Sequence, residues 1–183
     1  MTRVLLHICC GPCAIAPVRE LQAEGVEVVG FYFNPNIHPL QEYLRRGDGV
    51  RDVAERLGIK VIFKDEDHDP GEYLRAVAFR ENNRCFLCYS MRLERTRAIA
   101  KRGRFDAFST TLLYSKFQKH DQIRALGRDL AGQGRPEFLY RDFRSGWKEG
   151  IDVSREWGIY RQQYCGCIYS EFERYRDGLR TEK

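Results

Sequence analysis

Short apolar runs alternate with longer amphipathic stretches over roughly the first two thirds of the chain. Val4-Leu5-Leu6-His7-Ile8 is a continuous apolar run of strand length, the pattern of a strand buried on both faces. After a Cys/Gly/Pro turn, residues 15–24 predict a helix with Val18 and Leu21 inward and Gly25 as its stop. Residues 26–33 predict a second strand, closed by Asn34-Pro35-Asn36. Apolar positions recur at helical spacing over 40–57, with Gly58 as the C-cap. Residues 60–64 predict a third strand, and the acidic run 65–69 after it reads as a solvated loop. Helices follow over 71–79 and 87–102, then a strand over 106–113 and a helix over 119–130. Strand and helix in alternation imply right-handed crossovers and a mostly parallel sheet covered on both faces. The expected fold is a Rossmann-like three-layer α/β/α domain spanning 1–183, with a core over about 1–132. Residues 133–183 form a C-terminal extension covering the site: a short edge strand within 136–143, an Arg- and aromatic-rich stretch from Trp147, and a final helix over 170–180.

Composition sharpens this picture. Hydrophobic residues make up 43% of 183, enough to build a core, which excludes a disordered chain. No apolar run approaches the roughly 18 residues of a membrane span, and the N-terminus lacks a signal-peptide pattern, so a cytoplasmic protein is expected. In that compartment structural disulfides are rare, so seven cysteines call for metal or redox chemistry.

Those cysteines fall into three groups. Cys9, Cys10 and Cys13 follow the first strand directly, at the sheet edge where parallel α/β proteins bind ligands. Cys85 and Cys88 open a helix. Four thiolates drawn from these two groups can hold zinc or an iron–sulfur cluster. Their position at the expected active edge, and a fifth thiol beyond what a closed tetrahedral site needs, favour iron–sulfur. The third group, Cys165-Gly166-Cys167, would close a very small and strained ring, which suits reversible redox better than structural stapling.

The net charge is +5, and the cations are 24 Arg against 7 Lys. Arg grips phosphate bidentately. Arg141, Arg144, Lys148, Arg155 and Arg161 are interleaved with Tyr140, Phe143, Trp147, Trp157, Tyr160 and Tyr164, a pattern that fits unpaired RNA bases stacked on rings. A second basic run, which includes Arg84, Arg92 and Arg95, is balanced between an RNA contact and a solvated helix face. Neither a Walker loop nor a Ser-Gly-Gly-x-Asp-Ser loop is present, which argues against ATP use. His7 reads as a core residue; His38 and His120 lie near strand ends, where an acid or substrate contact could sit.

With these residues assembled, the chain resembles the cobalamin-independent, QueH-type epoxyqueuosine reductases. The resemblance is carried by His7-Ile8-Cys9-Cys10-Gly11-Pro12-Cys13, Phe33-Asn34-Pro35-Asn36-Ile37-His38, Asn83-Arg84-Cys85-Phe86-Leu87-Cys88-Tyr89, Ser109-Thr110-Thr111-Leu112-Leu113 and Tyr164-Cys165-Gly166-Cys167-Ile168-Tyr169-Ser170. It implies reduction of epoxyqueuosine to queuosine at the tRNA wobble position, with electrons from an external donor. It also implies a 4Fe–4S cluster on Cys9, Cys10, Cys85 and Cys88, and a redox-active pair at Cys165 and Cys167. Cys13 stands where it could replace one of the first two ligands or hold an additional iron. His38, Tyr114 and Tyr164 are the candidate proton donors, and Arg84, Arg141, Arg144, Lys148 and Trp147 the candidate tRNA contacts. A zinc-stabilised RNA-binding module and a cluster-dependent tRNA-thiolation enzyme are the alternatives. The missing pyrophosphatase loop weighs against the second.

Overall fold

The computed structural model describes residues 1–132 and 134–179. Five strands form one parallel sheet: β1 (Arg3–His7), β2 (Glu27–Tyr32), β3 (Lys60–Phe63), β4 (Ala107–Thr110) and β5 (Glu137–Phe138). Their spatial order is β3-β2-β1-β4-β5, so the chain steps outward to one side of β1 and then returns to its other side. That reversal, between β1 and β4, is the topological switch point of a doubly wound α/β sheet. β1 is buried along nearly its whole length, and its partners are in register: Val4 lies beside Val28 and Ala107, His7 beside Phe31 and Thr110.

The helices are α1 (Gly11–Ala23), α2 (Leu40–Leu57), α3 (Pro70–Val77), α4 (Arg84–Arg102), α5 (His120–Ala131), α6 (Trp147–Glu156) and α7 (Ile168–Tyr175). The bounds of α2 match the sequence pattern because its apolar period is strong and Gly58 adopts the left-handed cap conformation, φ +65°. Elsewhere the structure differs in instructive ways. The helix expected over 15–24 begins at Gly11, because Pro12 sits in the first turn, where its missing N–H costs nothing. Cys13 is therefore helical rather than part of a turn. The strand expected over 106–113 ends at Thr110, and Thr111–Tyr114 coil into a 3-10 turn. The acidic run is tied down: Asp65 accepts from the Tyr43 hydroxyl at 2.6 Å and Asp69 caps α3 at 2.8 Å.

In the C-terminal region the structure adds α6, which packs on α1. The final helix, expected over 170–180, begins earlier and runs over Ile168–Tyr175; Arg180 lies outside the described residues. Among the described residues no helix is long and apolar enough to cross a membrane.

Candidate active site at the switch point

After His7 the chain passes Ile8, Cys9 and Cys10 and enters α1 at Gly11. His7 anchors this exit: its ring is fully buried between the Thr110 hydroxyl (2.9 Å), the Phe33 carbonyl and the Asn34 side chain (both 3.2 Å). Burial, reinforced by the positive charge of Arg92, lowers its pKa to about 3, so it stays neutral. Gly11 is required by packing rather than by a phosphate cradle. A Cβ there would lie 2.3 Å from the Gly49 carbonyl oxygen of α2.

The close approach of α1 and α2 at Gly11 accompanies a tight sulfur group. The Sγ atoms of Cys9, Cys10 and Cys13 all lie within 4.8 Å of one another, with Cys10–Cys13 at 2.7 Å and Cys9–Cys10 at 3.8 Å. All seven cysteines are free thiols. Thr111 holds Cys9 twice, accepting its backbone N–H at 3.1 Å and donating to its sulfur at 3.4 Å. The Gln162 amide donates to Cys10 Sγ at 3.0 Å. Hydrogen bonds from Cys10 and Cys13 hold the Cys9 thiol well below the usual range, whereas burial pushes Cys10 up and the contact with Cys10 pushes Cys13 up. The three sulfurs together make a soft donor set able to hold a metal ion. Among the described residues it is the only group of three or more ligand atoms so close together.

Cys85 and Cys88 stand on the first turns of α4, and Cys88 is buried in a small cluster with Tyr73, Val77 and Cys167. Burial pushes the Cys88 thiol up to about 12. One turn on, Arg92 is 2% exposed; its guanidinium donates to the Cys88 carbonyl at 3.1 Å and to Cys88 Sγ at 2.9 Å. This corrects the solvated-face reading for Arg92. No carboxylate of the described residues lies within 4.0 Å of it, and the acidic groups that its charge favours are Cys88, Cys165 and Cys9. A buried guanidinium without a carboxylate is costly unless something anionic faces it.

The Cys165-Gly166-Cys167 loop is strapped to α2 and to the Asn34–His38 segment. Arg46, also 2% exposed, donates to the carbonyls of Tyr164 and Cys165, both at 2.9 Å, and to Glu42 at 2.7 Å. The other Glu42 oxygen accepts from the Tyr160 hydroxyl at 2.5 Å. The His38 backbone N–H donates to the Gly166 carbonyl at 2.8 Å, and the Tyr164 hydroxyl donates back to the His38 carbonyl. Gly166 has φ +140°, and a Cβ there would sit 3.1 Å from both Arg46 Nη1 and Ile37 Cγ1. Cys167 is buried. Cys165 reaches solvent through the cavity mouth while packed among protein groups on its other sides; burial pushes its thiol up, so it keeps its proton at neutral pH.

Between these regions lies a cavity of about 510 Å³. Cys9, Cys13, Cys165, Arg92, Tyr114 and Trp147 are among its lining residues, and its size suits a nucleoside. Tyr164 lines it too, with a pKa raised to about 12 mainly by burial. The His38 ring packs on Tyr73, 5.6 Å between centroids, and is not part of the lining. His120 is buried and bonds the Ser115 carbonyl at 3.1 Å. Of the expected RNA contacts, Trp147 lines the cavity and Lys148 is exposed beside it in sequence. Arg84 pairs with Glu173, Arg144 with Asp142, and Arg141 with Glu20 and Glu24 in a separate groove beside β5. The sequence analysis does not single out Glu42, Arg46, Thr111 or Gln162 as site residues, because the contacts that tie each to the site, to Tyr160, the Cys165 loop, Cys9 and Cys10, are made to residues distant along the chain.

Comparison with known proteins agrees with this geometry. Residues 4–173 match the family described as "Epoxyqueuosine reductase QueH". An epoxyqueuosine reductase QueH of Dehalococcoides mccartyi is 34% identical over 173 residues, covering 94% of each chain. That of Thermotoga maritima is 33% identical over 182 residues, covering 95% of this chain and 93% of its own. Among solved structures, the U34-tRNA thiolase NcsA from Methanococcus maripaludis with its [4Fe-4S] cluster aligns over all of this chain and 83% of its own. Its TM-score is 0.38 at 11% identity, too slight a likeness to argue from. With a family match over nearly the whole length and a free-thiol site at the switch point, this chain belongs to the epoxyqueuosine reductase QueH family of oxidoreductases.

Proposed function

We propose that the chain reduces epoxyqueuosine in tRNA to queuosine, using a 4Fe–4S cluster on the thiols beside the cavity and the Cys165/Cys167 pair as a two-electron store. The observation that carries this reading is the opening of one nucleoside-sized cavity onto both Cys9 and Cys165. The residues fit a cluster. Soft, buried, free thiols crowd the switch point, and a buried guanidinium without a carboxylate stands by, ready to balance a net negative group. Cys9, Cys10, Cys85 and Cys88 would hold it, as the resemblance implies. The 2.7 Å contact of Cys13 with Cys10 supports giving Cys13 a metal as well, as an alternative ligand or for an additional iron. When bound, such a cluster passes electrons singly and offers a Lewis-acidic iron.

The chain's own groups account for the rest. Removing the epoxide oxygen breaks two C–O bonds, forms a C=C bond and needs two electrons and two protons, with water leaving. Closing Cys165 and Cys167 to a disulfide supplies both electrons and releases both protons. Cys165, which keeps its proton at neutral pH, brings one of those two protons to the cavity. An external dithiol or electron donor must then reopen the pair. Tyr114 and Tyr164 face the cavity with their hydroxyls engaged to the Trp147 and His38 carbonyls, which supports a positioning part for both before any proton transfer. His38 joins the redox loop through its backbone.

The test is anaerobic preparation with iron and sulfide analysis and a visible spectrum. Turnover of an epoxyqueuosine-bearing anticodon stem-loop is then followed by mass for the loss of one oxygen. Brown protein with turnover supports the reading. Colourless protein holding one zinc and binding RNA without turnover refutes it in favour of a zinc-stabilised module.

A further inference from the structure

An RNA strand that places one nucleotide in the cavity must lay its neighbours across the mouth. There an unstacked base seeks a ring face and each phosphate seeks a cation free of carboxylates. Phe117 offers such a face. It is 83% exposed, an unusual position for a phenyl ring beside a deep cavity. Its turn is fixed, with the Phe117 N–H donating to Ser115 Oγ at 3.2 Å and the Lys119 N–H to the Tyr89 hydroxyl at 3.2 Å. Beneath it stands a stack of rings: Phe117 meets Trp147 edge-on at 5.9 Å, and Trp147 stacks on Tyr114 at 5.1 Å. The next residue, Gln118, donates to Cys165 Sγ at 3.4 Å, so the exposed ring stands one residue from a contact to the redox pair.

Three cations free of acidic partners among the described residues gather at this mouth. Lys116 lies over the Trp147 ring at 5.6 Å, and Arg161 and Arg174 line the cavity. None of the three has a carboxylate of the described residues within 4.0 Å. The one carboxylate among the described lining residues, Glu173, is taken by Arg84. Arg141 and Arg144, by contrast, are already bound to acidic partners.

We propose that the Lys116–Phe117 turn, with Arg161 and Arg174, is the docking surface for the anticodon loop. Phe117 stacks on the base next to the nucleotide held in the cavity, while Lys116, Arg161 and Arg174 meet the flanking phosphates. This rests on the tRNA reading above, and the experiment separates the two. Binding of a fluorescent anticodon stem-loop to the metal-loaded protein is measured by anisotropy across a salt series, and turnover is measured on both the stem-loop and the free epoxyqueuosine nucleoside. Phe117→Ala should weaken stem-loop binding about tenfold, the scale of one base–aromatic stack. Phe117→Trp should bind the stem-loop within about twofold of the parent, and in Phe117→Ala turnover of the free nucleoside should fall far less than stem-loop binding. Arg161→Ala and Arg174→Ala should each flatten the salt dependence by about 0.7 in log–log slope, the mark of one lost phosphate contact on a single strand. Arg3→Ala, at the opposite end of the sheet, should leave affinity and slope unaltered. If Phe117→Ala binds and turns over the stem-loop like the parent, the docking surface is wrong and the tRNA reading survives. If the parent reduces free nucleoside but does not bind the stem-loop, both fall.

Discussion

The cysteines at the end of β1 and those near the C-terminus both reach one cavity, through Cys9, Cys13 and Cys165, and are held by different means. Cys9, Cys10 and Cys13 are fixed by the sheet and the start of α1; Gly11 lets α2 press against that turn, and Thr111 pins Cys9 from the neighbouring strand end. Cys165 and Cys167 lie on a loop, and its position rests on hydrogen bonds from Arg46, His38 and Tyr164. A donor set for a metal must hold its geometry with few adjustments. A thiol pair that opens and closes must move, and the Arg46 side chain on α2 holds the loop by its carbonyls while Cys165 stays open to the cavity.

The largest expected effect separates the two regions outright. Cys10→Ser should reduce metal content and turnover by more than about 100-fold, since loss of even an outer-shell partner costs 10–100-fold. Cys167→Ser should keep the metal and lose sustained turnover. Iron analysis beside multiple-turnover assays reads both, and equal metal loss in the two variants would end the distinction. Next is the strap. Arg46→Ala leaves Glu42 buried with only Tyr160 and should cost about 3–5 kcal/mol of stability in urea melts. The double variant Glu42→Leu/Arg46→Met should recover most of that stability while leaving the loop untethered, so turnover stays low if tethering matters.

Arg92→Met should lower metal retention about 10–100-fold by chelator competition while leaving the fold intact, because the charge facing Cys88 is gone. The smallest effect concerns His7. Its pKa is about 3 when folded against 6.5 as the reference, so the unfolded chain binds the extra proton between those values. Its share of stability is therefore present above pH 6.5 and lost as pH falls towards 3, by at most about 1.4 kcal/mol per pH unit. His7→Asn should flatten the acid limb of the stability profile by that slope. An unchanged limb would mean that His7 does not anchor the β1 exit as described.

Legibility in the sequence followed the range of the interactions. The apolar run of β1, the period of α2 and the cap at Gly58 are local patterns, and each appears in the structure close to where the pattern put it. Helix α6 keeps a clear amphipathic period, but it lies in a stretch read only as Arg- and aromatic-rich, and it packs on α1, distant in sequence. Arg92 looked like one more cation on a basic helix, yet it is buried against the thiols. Arg141 and Arg144 looked like free cations because Glu20 and Glu24 are far away in the chain and an adjacent Asp142 does not announce an ion pair.

The sequence alone determined the parallel α/β layering and the placing of Cys9, Cys10 and Cys13 at the exit of the first strand. It also carried the motif order that marks the family. These depend on residue spacing within single elements and on short connections, which are local quantities. Tertiary structure alone decided that β1 lies between β2 and β4, so that the thiols open at the switch point. It decided too that Arg46 straps the redox loop, and that Lys116, Arg161 and Arg174 stand at the cavity without acidic partners among the described residues. Each of these is a pairing across many residues, and its energy depends on burial and on the partner's charge, neither of which exists until the chain has folded.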